Sequence, residues 1–301
     1  MRIFLPGLLL PLSIYAAAAC GNHGDRSTML ITTAWLADHL QDRNLAVLAV
    51  GQEADFAAAH IPGAAALDYR SIALPITAEQ PLNLQLPPAG ELEKVFAALG
   101  VSNGSRIVLY MSKDQLTQTA RAWLTLDAMG LGAQTSILDG GLPAWQREGR
   151  PVTTEVRHPA QGKLKACAAD DVIVDADYIK AHLAGAGVRV VDARLPQYYS
   201  GETPGRNQRP GHIPGAASIP YSKLVDEQGR LKPAAELQQQ FASAGVKSGD
   251  RVVSYCHIGQ QASLVYFVAR YLGYDARLYD GSFEDWSRHS DLPVEKSTPG
   301  R

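Results

Sequence analysis

The sequence predicts an α/β fold made of two tandem domains, each a mainly parallel sheet covered by helices on both faces. Three observations support this prediction. The chain has 301 residues, which is enough for about two domains of roughly 150 residues. Several motifs occur twice in the same order. Within each copy, short β-branched runs alternate with amphipathic helical stretches, as in parallel sheets flanked by helices.

The repeat defines the domains. Three pairs of segments recur in the same order: 60–64 with 212–216 (His-Ile-Pro-Gly-Ala in both), 106–110 with 251–255, and 138–145 with 279–286. The predicted domains span 28–155 and 170–298. Residues 156–169 contain Pro159 and Gly162 with little periodicity, which is typical of a linker.

The second copy shows the alternation most clearly. Its hydrophobic pattern predicts helices at 176–183, 234–244 and 262–272, and strands at 188–191, 251–255 and 277–279. Gly245 and Gly273 follow two of these helices as stop signals. In such sheets the ligand usually lies at the carboxyl ends of the strands.

The composition excludes several classes of protein. With 28 Lys and Arg against 30 Asp and Glu, the net charge is −2, and without long runs of like charge we expect no nucleic-acid partner. Three cysteines are too few for a disulfide scaffold and lack the paired spacing of a zinc cluster, so we expect no metal site.

Residues 1–19 form a predicted signal peptide, with a charged start, an apolar stretch and small residues from Ala16 to Ala19. Together with Cys20 these small residues resemble a bacterial lipoprotein box, although Ala17 stands where leucine is usual. Lipidation of Cys20 is the favoured interpretation, and ordinary secretion is the alternative. We therefore expect an exported periplasmic or cell-envelope protein that meets the membrane only through a lipid on Cys20.

Cys256 follows the predicted strand 251–255, and the loop Cys256-His-Ile-Gly-Gln-Gln261 leads into a helix. The first amides of a helix lack intrahelical partners, and the helix dipole favours anions there. We therefore expect a stabilised thiolate or persulfide and a nucleophilic cysteine near neutral pH. Gly259 allows the loop to curl. The alternative is a buried, inert cysteine.

Residues 28–298 resemble the tandem-domain rhodaneses, sulfurtransferases whose two similar α/β domains carry a reactive cysteine only in the second. The matching motifs are 211–216, Val191-Asp-Ala-Arg194, the Cys-x-x-Gly loop at 256–259, and Tyr279-Asp-Gly-Ser282 with Trp286. A phosphatase-type loop, Cys-x5-Arg, is excluded because Ala262 stands six residues after Cys256.

The resemblance implies a ping-pong reaction. Cys256 would take the outer sulfur of a small anionic donor, thiosulfate first and 3-mercaptopyruvate second, and pass it to a thiophilic acceptor such as cyanide or a thiol. The persulfide would be held by loop residues His257, Ile258, Gly259, Gln260 and Gln261. No metal or organic cofactor is expected. The alternative is a non-enzymatic sulfur-carrier or binding protein at the cell envelope.

The first copy is expected to be inactive and to form one wall of the cleft. Met111 stands at the position of Cys256, and a thioether neither ionises nor carries a persulfide. Three other positions differ in our alignment: Asp114 replaces Gly259, Gly51 replaces Asp192 and Glu53 replaces Arg194.

An anionic donor needs cationic groups, and Arg194, Arg206 and Arg209 are the candidates. The family's substrate-binding arginine four residues beyond Arg194 is here Tyr198. Arg194 is expected to hold its own loop by pairing with Asp192 or Glu202, and donor binding is the alternative. For Arg206 and Arg209 the alternative to donor binding is a solvated loop charge. The residues after Cys256 match neither the basic thiosulfate-type loop nor the Gly-Ser-Gly-Val-Thr loop of mercaptopyruvate-type enzymes.

Three more residues have expected roles. His212 is expected to support the Pro214-Gly215 turn. His257 has three interpretations: a protonated group that adds positive potential, a neutral group that assists an acceptor thiol, or a side chain facing solvent. Cys167 is interpreted as an inert thiol in the linker rather than a redox partner of Cys256.

Overall fold

The structure is a computed structural model that describes residues 26–113, 116–167, 169, 171–183, 185 and 187–297. Within them lie two five-stranded sheets, one from each copy, in which neighbouring strands pair in parallel. We call the parts of the chain around these sheets the first and second units. The predicted α/β fold with helix-covered parallel sheets is confirmed.

The first sheet has strands β1 (Leu30–Ile31), β2 (Leu45–Val50), β3 (Ala65–Leu67), β4 (Arg106–Met111) and β5 (Thr135–Leu138), in the order β1-β5-β4-β2-β3. Its helices are α1 (Thr33–His39), α2 (Glu53–Ala58), α3 (Ala89–Ala98), α4 (Leu116–Ala128) and α5 (Gly141–Arg147).

The second sheet has strands β6 (Ile173–Val174), β7 (Val188–Asp192), β8 (Ala217–Ser218), β9 (Arg251–Tyr255) and β10 (Asp275–Tyr279), in the equivalent order β6-β10-β9-β7-β8. Its helices are α6 (Ala176–His182), α7 (Pro196–Ser200), α8 (Ala234–Ser243), α9 (Gln260–Leu272) and α10 (Ser282–Arg288). The identical strand order shows that the repeat is a duplicated fold.

Alternate residues of each strand point to opposite faces, so each sheet contributes to two hydrophobic clusters. In β2, Leu48 and Val50 join a cluster that runs through both units, whereas Val47 and Ala49 join a separate cluster on the outer face. The second unit has its own outer cluster, which includes Val190 and Trp286.

Helices α4 and α9 join the two units. Trp123 on α4 meets Phe267 on α9 edge to face, with ring centroids 5.0 Å apart. Residues 262–269 of α9 are all buried, as expected for a helix that packs on its own sheet and on the neighbouring unit. This packing brings loops of the first unit against the carboxyl ends of the second sheet.

The predicted linker is fastened to the first unit. Gly162 N–H donates to the Ala97 carbonyl (2.8 Å) and Cys167 N–H to the Met129 carbonyl (3.1 Å). A Cβ on Gly162 would collide with the Val101 carbonyl, so a glycine is needed at this close approach. In the described part of the chain, no helix is long and apolar enough to span a membrane.

Candidate active site

Cys256 is the first residue after β9, at the carboxyl end of the central strand, and it is a free, fully buried cysteine. Its N–H donates to Ser282 Oγ (3.2 Å), and its carbonyl accepts from Phe283 N–H (2.9 Å). Ser282 has a φ of 53°, a left-handed conformation that is uncommon outside glycine. The start of α10 therefore fixes the backbone of the nucleophile candidate.

Gly259 ends the Cys256 loop and begins α9, with a φ of 87°. A Cβ there would lie 3.0 Å from Arg121 Nη1 of the first unit and 3.3 Å from the Asp280 carbonyl. Its own carbonyl accepts from Ser263 N–H (3.1 Å) and Ser263 Oγ (2.7 Å). Both the backbone conformation and the crowding require glycine.

The pKa of the Cys256 thiol is raised, whereas the sequence led us to expect a lowered one. Burial raises the pKa of its thiol, and hydrogen bonds from the backbone amides of Ile258, Gly259, Gln261 and Ala262 lower it by less. The expectation of a thiolate favoured near neutral pH is therefore wrong for the resting protein, because loss of hydration outweighs the amides. These four amides belong to the Cys256 loop and the first turn of α9.

His257 is neutral. Burial, followed by the positive charge of Arg194, lowers its pKa to about 4, which excludes the protonated interpretation at neutral pH. Its Nδ1 lies 2.8 Å from Gln208 Oε1, and the Tyr198 ring packs edge-on against it with centroids 4.6 Å apart. The imidazole lines a cavity, so it is also not a freely solvated side chain.

Arg194 has the structural role that the sequence favoured, a pair with Asp192. Its Nη2 lies 2.6 Å from Asp192 Oδ2 and donates to the Gly211 carbonyl (2.7 Å), and the side chain is 1% exposed. The guanidinium also lies 4.1 Å from the centroid of the Phe283 ring. These contacts occupy Arg194 in holding the end of β7 against the 211–216 turn, so we no longer regard it as a substrate ligand.

The other two candidate arginines, Arg209 and Arg206, have different surroundings. Arg209 donates to the carbonyls of Trp286 (2.9 Å), His289 (3.1 Å) and Leu292 (2.8 Å), so its guanidinium is used within the protein. Arg206 is exposed and lines the cavity beside the Cys256 loop. Among the three candidates, Arg206 is therefore the one that can meet a donor.

The cavity has a volume of about 640 Å³ and lies between the two units. His257 and Ile258 of the Cys256 loop contribute to its lining, and the first unit contributes Ile76, Pro81 and Asn83. Ile76 is 61% exposed, which gives the opening an apolar edge. The first unit thus contributes one wall of the cleft, a role expected from its lack of a cysteine at the position of Cys256.

Loop 81–86 of the first unit is tied to the second unit. Asn83 donates from its backbone and side chain to Glu284 (2.8 Å each), and Leu86 N–H donates to Asp280 Oδ2 (2.8 Å). Arg288 Nη2 donates to the Pro81 carbonyl (3.0 Å). The wall is therefore held in a defined place over the cavity.

The strand register corrects our alignment of the two copies. Tyr110 pairs with Ala49, whereas Tyr255 pairs with Asp192. Ala49 is therefore the equivalent of Asp192, and Gly51 rather than Glu53 is the equivalent of Arg194. The first unit has neither charge of the Asp192–Arg194 pair.

The remaining residues singled out in the sequence lie in different parts of the chain. Met111 is buried at the end of β4, whereas Asp114 and Cys20 lie outside the described residues. Cys256 is a free cysteine, so Cys167 is not bonded to it. His212 has a structural role, since its Nδ1 lies 2.7 Å from the Tyr199 carbonyl and its imidazole stacks on the Tyr199 ring.

Sequence reasoning missed the groups that shape the site from a distance. Gln208, Glu284, Arg288 and the first unit's Asn83 line the cavity, and no spacing pattern marks them. Ser282 was quoted only as part of a motif, although its hydroxyl contacts Cys256. Among the described residues, no group of three His, Cys, Asp or Glu side chains could hold a metal ion.

Residues 32–148 and 175–289 both match the Rhodanese-like domain family. The chain belongs to the rhodanese family. This rhodanese is 32% identical to the sulfur carrier protein TtuD of Thermus thermophilus, over 89% of this chain and 96% of that protein. It is 30% identical to the thiosulfate sulfurtransferase of Azotobacter vinelandii, over 89% and 97%.

Solved structures agree with this assignment. The rhodanese superposes on the 3-mercaptopyruvate sulfotransferase SseA of Escherichia coli with a TM-score of 0.73 and 28% identity, covering 85% of this chain and 98% of that one. EanB in complex with ergothioneine gives a TM-score of 0.80 at 20% identity, covering 91% and 71%. The second likeness concerns the fold alone.

Proposed function

We propose that this rhodanese is a sulfurtransferase that carries sulfur as a persulfide on Cys256. One observation carries the proposal: a free cysteine lies at the end of the central strand, where neighbouring backbone amides act to lower the pKa of its thiol, and its loop lines a cavity of about 640 Å³. The named activities of its relatives support the same chemistry.

In the first half-reaction, the Cys256 thiolate attacks the outer sulfur of thiosulfate. The Sγ–S bond forms, the S–S bond of thiosulfate breaks, and sulfite leaves with the electron pair of that bond. The negative charge stays on the outer sulfur of the persulfide, where the loop amides stabilise it in place of water.

In the second half-reaction, the acceptor attacks the outer sulfur and Cys256 leaves as a thiolate. With cyanide the product is thiocyanate, and with a thiol it is a hydropersulfide. The amides that held the persulfide then accept the charge of the leaving thiolate, so the same loop serves both steps.

Arg206 is proposed as the group that attracts the donor, because it is exposed and lines the cavity. The neighbouring Arg288 lies 3.7 Å from Glu284, which offsets its charge. Among the described residues that line the cavity, Arg206 is the cation without an acidic partner. Together with an uncharged His257 it suits a small anion, with thiosulfate proposed first and 3-mercaptopyruvate second. Michaelis constants for both donors decide between them.

A second candidate function is that of a sulfur carrier that loads Cys256 and delivers sulfur to a protein. The observation in its favour is the 32% identity to a protein named as a sulfur carrier, TtuD of Thermus thermophilus. Steady-state thiocyanate formation separates the two functions, since a carrier loads once and turns over slowly without its partner.

We also propose that the protein is exported and lipidated at Cys20. The support is the sequence of residues 1–20. Cells fed labelled palmitate should incorporate it into the wild type and not into Cys20→Ala. Equal labelling, or none in either protein, would contradict lipidation.

A further inference from the structure

The loop that carries Arg206 meets the Cys256 loop through Gln208 and His257. Gln208 Nε2 donates to the backbone carbonyl of His257 (3.2 Å), and Gln208 Oε1 lies 2.8 Å from His257 Nδ1. One amide side chain therefore holds both the backbone and the ring of the residue next to Cys256.

This arrangement fixes the tautomer of the imidazole. A backbone carbonyl can only accept, so the Gln208 atom that faces it must be the NH₂ group. The amide oxygen then faces Nδ1, and this contact is a hydrogen bond only if Nδ1 carries the proton. In a neutral imidazole, Nε2 is then left with a free lone pair.

Two residues of the same loop, Gly205 and Asn207, suit the contact between Gln208 and His257. A Cβ on Gly205 would collide with Gln208 Oε1 and lie 2.9 Å from His257 Nδ1, so any larger residue at 205 would separate the two. Asn207, between Arg206 and Gln208, has a φ of 57°, a costly conformation for a residue other than glycine.

The charges near His257 come from several elements. Arg194 favours and Asp192 opposes the neutral ring, and burial has the largest effect. Arg206, Glu284 and Arg288 line the same cavity as the imidazole. Tyr198 covers one side edge-on. No partner for Nε2 lies among the residues that the structure describes.

We propose that Gln208 is a positioning residue that holds His257 with Nε2 unprotonated, so that this nitrogen accepts the S–H proton of a thiol acceptor during sulfur transfer. The inference rests on the proposed sulfurtransferase function and names its acceptor class, a protonated thiol.

The proposed step transfers the outer sulfur of the Cys256 persulfide to a thiol. The acceptor sulfur forms a bond to the outer sulfur of the persulfide while the Sγ–S bond breaks, and Cys256 leaves as a thiolate. The acceptor's proton passes to Nε2 and then to the transferred sulfur, which leaves as a hydropersulfide. The imidazole ends neutral, so no oxidant or further proton is required.

The tautomer is tested directly by ¹⁵N NMR of histidine-labelled protein, with the His257 signal assigned from His257→Gln. We expect the Nδ1–H tautomer in the wild type and its loss in Gln208→Leu. An Nε2–H tautomer in the wild type would overturn the inference, and this readout needs no activity. The amide spectrum of Gln208→Leu shows whether that variant is folded.

The kinetic test uses Gln208→Glu, in which a carboxylate faces Nδ1 and raises the pKa of the imidazole. Discharge of preloaded persulfide to a thiol is measured from pH 8 to pH 5. Since protonation removes the Nε2 lone pair, the variant-to-wild-type rate ratio should fall roughly tenfold across this range. The ratio cancels the titration of the acceptor.

Gln239→Glu is the matched control, because it adds the same charge at an exposed position on α8. The ratio of its discharge rate to that of the wild type should stay constant with pH. A constant ratio in Gln208→Glu as well would reduce Gln208 to a structural role and overturn the inference. Failure of any donor to load Cys256 would instead overturn the proposed function.

Discussion

Arg121 Nη1 of the first unit lies 2.7 Å from Asp280 Oδ1 of the second, and the two side chains are 1% and 8% exposed. Arg121 also contacts the Leu84 carbonyl and lies beside Gly259 at the end of the Cys256 loop. The first unit, which lacks a cysteine of its own at the end of β4, therefore braces the loop that carries the nucleophile candidate.

Removing the charge of Arg121 should destabilise the protein strongly. Arg121→Met leaves Asp280 buried without its cation, which costs about 3–5 kcal/mol of unfolding free energy. Urea unfolding measures the loss. Arg251→Met is the control, because the Arg251–Asp275 pair is equally short at 2.6 Å but its side chains are 35% and 46% exposed, and we expect about 0–1 kcal/mol there. Equal losses in the two variants would contradict this account.

Gly259→Ala should impair persulfide formation at least tenfold, since the added Cβ pushes on Arg121 and on the Asp280 backbone. Gly249→Ala is a matched control, because Gly249 has nearly the same φ, 86° against 87°, with open space around it. Both changes cost about 1–2 kcal/mol for the left-handed conformation. Single-turnover loading should fall in Gly259→Ala alone, and equal rates would contradict the crowding argument.

The rate of loading by thiosulfate should rise with pH and keep rising above about pH 9. Burial raises the pKa of Cys256, and the thiolate is the attacking species, so the reactive fraction grows as pH approaches that raised value. Single-turnover loading at constant ionic strength measures the profile. A plateau reached below pH 8 would show that the amides outweigh burial after all.

Arg206→Gln should raise the KM for thiosulfate about tenfold with a smaller effect on kcat, because a charge-assisted hydrogen bond to an anion contributes about 1.5–3 kcal/mol and exposure reduces it. Arg43→Gln is the control, since Arg43 is exposed beside the amino end of β2, away from the carboxyl-end cleft. A change of the same size in both variants would indicate a general charge effect instead of a binding residue.

Local patterns predicted most of the fold. The strand before Cys256 matches its predicted bounds, and α9 ends at Leu272 before Gly273, whose φ of 89° suits a stop signal. The bounds of a strand and the end of a helix depend on residues that are close together in the sequence. The loss of the cysteine from the first copy is also visible in the sequence, because Met111 aligns with Cys256 through the repeated strand that precedes each of them.

The partners of charged and buried side chains were not predictable in the same way. The Arg194–Asp192 pair was predicted, because the two residues are close in sequence. Arg209 was a candidate for donor binding, yet its guanidinium donates to the carbonyls of Trp286 and Leu292, which approach from a distant part of the chain. The pKa of Cys256 depends on how deeply the second unit and its neighbour bury it, which no spacing reveals. Gln208 lies in a loop whose path only the folded chain defines.

The central claim is that Cys256 carries the transferred sulfur. Intact-protein mass spectrometry before and after incubation with thiosulfate tests it, with peptide mapping to locate the added mass. We predict a gain of one sulfur atom on Cys256, lost again on addition of cyanide and absent in Cys256→Ser, while Met111→Leu loads like the wild type. No gain from any donor, or the same gain in Cys256→Ser, would contradict the account.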